Sequence, residues 1–300
     1  MKPTKFIDPT VDYAFKRIFG TDANKDLLID FLNAIFRGRK DIKDLYYNKN
    51  EHVGDTSKNG SVIFDLTCTT TSGEQFIIEV QRTPQMNFKR RMLYYLSKLI
   101  ADQAPKGKRQ EWNYSFKESY IIALMDGFGM PGEQPSDQYL RTVFLTEHEI
   151  GEIFFDEVGL VFLELVNFNK KENELENNLD SWLYVLKNMS KLDKIPLYLK
   201  KPIFEKLFNI AEYSNLEKKE KDMYDASLKR KWDQKAVQDY FDHKLKESEE
   251  KGQRKANYRA VSNLLQRGFN DAEIASIQDV TQEFIDQVRT DLENKRDQQE

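Results

Sequence analysis

The sequence predicts an α/β protein in which helices flank a mixed β-sheet and an all-helical region follows. Three observations predict this class. Apolar residues recur at helical spacing before residue 37, strand-like runs occupy much of residues 62–166, and helical spacing returns from about residue 170. We expect an α/β domain over residues 1–168, a helical extension over 169–215, and a charged helix with a helical module over 216–300. At 39% hydrophobic residues, the 300-residue chain has enough apolar surface for a core.

Two helices are predicted near the N-terminus. Asp8 followed by Pro9 is typical of a helix start, with an N-cap residue before a proline at the first position. Phe15 and Phe19 belong to the apolar stripe that follows, and Gly20 ends it. The second helix is predicted over residues 25–36, with Gly38 as its stop. The aromatic residues of both helices are expected in the core.

A β-hairpin is predicted next. Residues 62–68 and 75–81 are strand-like, and the polar turn between them contains Gly73. Beyond the hairpin we expect a helix over residues 86–104, ended by a proline, and strands over 119–125, 139–145 and 158–166.

The last third of the chain is predicted to be helical. Helices are expected over 173–189, 202–213, 217–255, 257–267, 271–277 and 282–294. The last three, with Asn270 and Thr281 as caps, resemble a helix-turn-helix. Because acidic residues of the final helix would be repelled by phosphates, a dimerisation or protein-contact role is favoured over DNA reading. An apolar seam for such a contact is offered by Trp232, Val237, Tyr240 and Phe241.

Composition excludes several classes of protein. A net charge of −4 excludes a histone-like mode of nucleic-acid binding, in which bulk positive charge holds the phosphates. The lone Cys68 excludes a disulfide framework and a cysteine-rich zinc module, and we expect it to be a small core residue. The three histidines have no metal-ligand spacing, and His52 is given no role. Without a long apolar run or a signal-peptide pattern, we expect a cytoplasmic protein with no membrane contact.

The hairpin carries polar residues inside apolar strands. If its turn centres near Ser72, Asp65 and Glu79 lie opposite each other with Cβ atoms roughly 5 Å apart. Two such carboxylates repel, so either one takes up a proton or a divalent cation lies between them. Oxygen ligands on a rigid sheet suit Mg²⁺ or Mn²⁺. The alternative is a buried acid paired with a nearby lysine or arginine.

Five segments carry a resemblance to a known family. They are DYAFKRIFG at 12–20, DLLIDFLNAIF at 26–36, IFDLTC at 63–68, EQFIIEVQ at 74–81 and RMLYYLSKLI at 91–100. In this order and spacing they resemble the Rpn group of recombination-promoting nucleases, also called PD-(D/E)XK nuclease family transposases, over roughly residues 5–168. The resemblance implies the mixed sheet of restriction endonucleases.

The resemblance also implies roles for particular residues. Asp65 and Glu79 match the metal-binding acids, and the backbone carbonyl of Val80 would be a further ligand. Gln81 matches the place of the superfamily's catalytic lysine but is uncharged, so a structural hydrogen-bonding role stays open. Asp12 matches an extra acid that reaches the metal through water, although Lys16 at i+4 could simply pair with it.

Two further residues match positions that contact substrate. Arg91 and Tyr95 match polar positions that contact the phosphate backbone, with packing or solvated charge as the alternative. The segment Lys58-Asn59-Gly60 departs from the family, whose members often have a charged pair there.

The function implied is a Mg²⁺-dependent DNA endonuclease, with Mn²⁺ as a possible substitute and no organic cofactor. It would act in recombination, transposition or defence against mobile DNA, as a homodimer because one such site cuts one strand. Two alternatives remain open. One is a catalytically weak or inactive nuclease-fold protein that binds DNA or protein, favoured by Gln81, and the other is an RNA-cutting toxin.

Overall fold

The structure is a computed structural model and describes residues 4–48, 51–52, 62–63, 65–105, 112–132 and 136–297. The chain forms two compact units, Met1–Gln234 and Lys235–Glu300. The division of the sequence into three parts stays a prediction. The departure at Lys58-Asn59-Gly60 and the side chain of His52 lie outside the described residues.

The first unit begins with two buried helices, α1 (Asp12–Phe19) and α2 (Lys25–Phe36). The predicted start at Asp8 and Pro9 is wrong, because α1 is capped by Val11. The Asp8 carboxylate instead accepts hydrogen bonds from the backbone and hydroxyl of Thr10, which forms a local turn before the helix. The ends predicted at Gly20 and before Gly38 are confirmed.

A mixed sheet of six strands forms the centre of this unit. The described strands are β1 (Leu45–Tyr47), β2 (Glu51–His52), β3 (Val62–Ile63), β4 (Leu66–Thr70), β5 (Gln75–Gln81), β6 (Ser119–Met125), β7 (Leu140–Thr146) and β8 (Ile153–Glu164). The order in the large sheet is β1-β4-β5-β6-β8-β7, while β2 and β3 pair separately. The three strands β5, β6 and β8 are parallel and the outer pairs are antiparallel. The predicted mixed sheet is therefore confirmed.

The hairpin has the predicted register but not the predicted first strand. Leu66 pairs with Ile78 and Thr69 with Gln75, so continuing the ladder by one residue places Asp65 opposite Glu79. The expected single strand over 62–68 is wrong, because Val62–Ile63 pairs with β2 and β4 begins only at Leu66. Asp65 thus lies at a break in the strand, immediately before β4.

Helices cover both faces of the sheet. Helix α3 (Phe88–Ala101) packs on the face that includes Ile77, which by strand alternation is also the face of Glu79 and Gln81. The opposite face, with Ile78 and Val80, packs in a larger core with α1 and α2. This core includes the predicted aromatic residues Phe15, Phe19, Phe31 and Phe36, as well as Cys68.

Five more helices follow the sheet. They are α4 (Asn178–Asn188), α5 (Pro202–Ala211), α6 (Lys218–Gln266), α7 (Asp271–Gln278) and α8 (Gln282–Asp297). The separate helix predicted over 257–267 is wrong, because α6 continues through it. The first two bring Trp182 and Phe204 into the larger core of the first unit.

The second unit has a small core of its own. Val261, Ile274, Ile285 and Val288 are buried together, and a capping box between Asn270 and Glu273 begins α7. No helix in the described part of the chain is both long and apolar enough to cross a membrane.

Candidate metal centre

Two carboxylates meet where the hairpin strands end. Glu79 is in β5, and Asp65 lies at the break before the neighbouring strand β4. The backbone N–H of Asp65 donates to Glu79 Oε1 at 3.2 Å, and the backbone N–H of Val80 donates to Asp65 Oδ2 at 2.8 Å. Each carboxylate is therefore held by a backbone group of the segment that carries the other, and the two acids form one site.

Burial makes this pair of acids costly to ionise. Glu79 is 5% exposed, and burial, followed by the charge of Asp65, raises the pKa of Glu79 to about 8. Burial also raises the pKa of Asp65, with Asp12 adding to the effect and the hydrogen bond from Val80 opposing it. A cation bound between the two carboxylates would lower both pKa values and so favour their charged forms near neutral pH.

The donor atoms fit a hard divalent cation. Gln81 Nε2 lies 3.4 Å from Glu79 Oε2 and 3.5 Å from the carbonyl oxygen of Val80, so these two predicted ligands lie close to each other. With Asp65 they form an oxygen-only set, the chemistry that suits Mg²⁺ or Mn²⁺. Among the described residues, no cluster of three or more His, Cys, Asp or Glu side chains could hold a metal ion, so this candidate site has two carboxylates and a backbone carbonyl as its ligands.

The predicted substrate-contacting residues lie beside the acids. The Arg91 guanidinium on α3 donates to the side-chain oxygen of Gln81 and, at 2.6 Å, to that of Gln85. Its charge opposes the rise in the pKa of Glu79 that burial causes. The Tyr95 ring lies 5.7 Å from the guanidinium, and burial raises the pKa of its hydroxyl while Arg91 opposes the rise. The structure thus brings Arg91 and Tyr95 to the acid pair.

Asp12 and Lys16 lie at the edge of this site. They form the ion pair that helix spacing allows, at 2.8 Å, with both side chains about 40% exposed. The charge of Asp12 nevertheless acts on Asp65, and that of Lys16 acts on both Asp65 and Glu79. Asp12 therefore pairs with Lys16 and also lies near enough to the acids for its charge to act on Asp65.

A known protein family matches most of the chain. The model for PD-(D/E)XK nuclease family transposases matches residues 9–240, which includes every predicted site residue. The chain belongs to this family. In this member of the PD-(D/E)XK transposase family, the five sequence segments that resemble the family fall on α1, α2, the two sides of the hairpin and α3, in that order. Searches of curated proteins and of solved structures found no match.

A second polar cluster adjoins the site of this family member, and sequence reasoning missed it. Lys231 Nζ lies 2.8 Å from Asp8 Oδ2 and 2.6 Å from Asp126 Oδ2, and it donates to the hydroxyl of Thr10. Arg82 donates to the carbonyl oxygen of Thr10. Burial would raise the pKa of Asp126, but Lys231 holds it below its usual range. In the sequence, only the apolar environment of Asp126 after a buried strand pointed to such a cluster.

Proposed function

We propose that this protein is a metal-dependent DNA endonuclease that hydrolyses phosphodiester bonds. The observation that supports this most strongly is the acid pair of Asp65, which is partly buried, and Glu79, which is buried. Reciprocal backbone hydrogen bonds hold the two together at the end of the hairpin. Burial raises the pKa of both carboxylates, and a divalent cation bound between them would offset that effect.

Asp65, Glu79 and the Val80 carbonyl would hold Mg²⁺, with Mn²⁺ as a substitute. When bound, the ion lowers the pKa of a water molecule and neutralises charge on the phosphate. The two carboxylates would supply the negative charge that retains the ion. Asp12, at the edge of the site, would reach the ion through a water molecule and orient it.

Substrate contacts would come from helix α3. Arg91 carries a fixed positive charge beside the acids, and Tyr95 lies against it, so both suit the phosphate backbone of DNA. We propose Gln81 as a further site residue, because its amide group lies between Glu79 and Arg91. An organic cofactor has no part in this chemistry.

Membership of the family supports a proposal for the biological setting. We propose a role in recombination, transposition or defence against mobile DNA, performed in the cytoplasm by a homodimer, because a single site of this kind cuts one strand. A second candidate function is a nuclease-fold protein with little turnover that binds DNA or protein. The uncharged Gln81 favours this alternative.

Plasmid nicking tests the proposal. Purified wild-type protein is expected to nick supercoiled DNA with Mg²⁺ and to lose the activity in EDTA. Asp65→Ala should be inactive because it removes one of two charged ligands. Asp193→Ala, which changes an exposed acid elsewhere in the same unit, should nick like the wild type.

Two results would contradict the proposal. Cleavage that survives Asp65→Ala would show that the activity lies elsewhere or is contamination. A folded wild type that cleaves neither duplex DNA nor single-stranded RNA, with Mg²⁺ or Mn²⁺, would favour the binding protein. Cleavage of RNA alone would favour the toxin.

A further inference from the structure

The side chain of Gln81 connects the acid pair to Arg91. Its Nε2 faces Glu79 Oε2 and the Val80 carbonyl oxygen, while its Oε1 accepts a hydrogen bond from the Arg91 guanidinium. The opposite amide orientation would place oxygen against oxygen and donor against donor. The charges on either side therefore determine how this amide lies.

The Arg91 guanidinium makes a second hydrogen bond and still has an N–H group that makes none within the described part of the chain. Another nitrogen of its guanidinium donates to Gln85 at 2.6 Å. Its buried Nε finds no hydrogen-bond partner among the described residues. A guanidinium has five N–H groups, so Arg91 keeps donor capacity for phosphate oxygens while both glutamines hold it.

Two other cations act on the acids. Arg82 acts on Asp65, and its guanidinium donates to the backbone carbonyl oxygen of Thr10. Lys16 acts on both acids, but its ammonium is paired with Asp12 and its side chain is 43% exposed. Arg91 is the cation that Gln81 connects directly to Glu79, and neither of the two neutral side chains that hold it cancels its charge.

We propose that Arg91 supplies the positive charge at the scissile phosphate and that Gln81 is the positioning residue that holds it there. This differs from a general backbone contact by Arg91 and from direct catalysis by Gln81. The inference rests on the proposed nuclease function. In the superfamily a lysine at the place of Gln81 carries a positive charge, and here we assign that charge to Arg91.

The role of Arg91 follows from the place where negative charge develops during phosphodiester hydrolysis. In hydrolysis a water oxygen bonds to phosphorus, and the water gives up a proton to solvent. The bond from phosphorus to one sugar oxygen breaks, and that oxygen takes a proton from solvent, so one water is consumed. Negative charge on the phosphate oxygens and the leaving oxygen is stabilised by a guanidinium already held in place.

The test uses the full chain and two measurements, plasmid nicking with Mg²⁺ and Mn²⁺ affinity by calorimetry without DNA. Arg91→Gln should slow nicking by about 100-fold, the usual cost of losing a group that stabilises developing charge. The same variant should bind Mn²⁺ several-fold more tightly, because a like charge near the ion has been removed. A merely structural arginine would instead weaken Mn²⁺ binding when replaced.

Gln81 is tested by loss and by rescue. Gln81→Ala should slow nicking about tenfold, as expected for a residue that orients another, and should cost nothing more in the Arg91→Gln background. Gln81→Lys combined with Arg91→Gln should regain at least about tenfold in rate, because it restores a cation at the site. Arg90→Gln, an exposed neighbour on α3, is the matched control and should change neither measurement.

The failures are distinguishable. Wild-type protein that nicks DNA while Arg91→Gln nicks equally fast overturns this inference alone, and so does a weaker Mn²⁺ affinity in Arg91→Gln. Folded wild-type protein that does not nick overturns the proposed function together with the inference.

Discussion

Glu79 carries an ionisable carboxyl group in a buried environment that disfavours its charged form. It is nearly inaccessible, and burial, followed by the charge of Asp65, raises the pKa of its carboxyl to about 8. An unfolded chain releases this proton near pH 4.5, whereas the metal-free folded protein keeps it until about pH 8. Because the folded state then binds more protons than the unfolded state, its stability falls as pH rises across this interval.

Glu79→Gln should reveal this cost in the absence of metal. In EDTA the variant is expected to match the wild type near pH 5, where Glu79 is protonated, and to have a higher Tm near pH 9, where the wild type must bury a charge. Thermal denaturation by circular dichroism across this range measures the difference.

The matched control is Glu157→Gln, which changes an exposed glutamate. Its difference from the wild type should not depend on pH in this way. A constant Tm difference between Glu79→Gln and the wild type from pH 5 to pH 9 would show that Glu79 is not protonated in the metal-free protein.

Among the elements, α6 contributes a partly buried cation to the first unit. Lys231, whose side chain is 23% exposed, joins Asp8 before α1 to Asp126 after β6. The backbone N–H of Asp126 also donates to the carbonyl oxygen of Gln81, so this cluster adjoins the candidate metal centre. A single lysine thus stabilises two acids from separate segments.

Lys231→Met should lower the free energy of unfolding by about 3 kcal/mol or more, because two partly buried carboxylates lose their partner. Urea denaturation followed by tryptophan fluorescence measures the change. Lys229→Met, at an exposed position of the same helix, should leave the midpoint close to that of the wild type. Equal effects of the two substitutions would mean that the cluster contributes little to stability.

At the scale of the whole molecule, the predicted dimer has a candidate surface in the second unit. Val237, Tyr240, Phe241 and Leu245 are each more than half exposed. Their three- and four-residue spacing places them on one face of α6, as in helices that pair along an apolar seam. We expect the homodimer to form through this face.

The double variant Val237→Lys/Phe241→Lys should therefore be monomeric. Two charges in an apolar seam oppose association, whereas exposed positions tolerate lysine without loss of folding. Light scattering coupled to size exclusion measures the mass. Asp239→Lys, on the opposite side of the helix, should remain dimeric, and a wild type that is already monomeric would refute the predicted dimer.

The fold was largely predictable because its signals are local. The strand over residues 75–81 and the helix over 25–36 were predicted with the observed bounds, since alternation and helical spacing are properties of neighbouring residues. The predictions of the start of α1 and of a single strand over residues 62–68 were wrong, because contacts outside the local pattern determine the structure there. Asp8 forms a turn with Thr10 instead of capping α1, and Asp65 lies at a break in a segment that looked like one strand.

By itself the sequence determined that a mixed sheet precedes a helical tail, but it predicted neither the edge strand β1 nor the order of the strands. It also determined the hairpin register and hence the meeting of Asp65 with Glu79, because a short turn leaves the two strands few ways to pair. Only the tertiary structure decided that Gln81 holds Arg91 and that Lys231 joins Asp8 and Asp126. It also decided how strongly burial acts on Glu79. These features depend on groups brought together by packing, up to 223 positions apart in the chain, where no spacing rule applies.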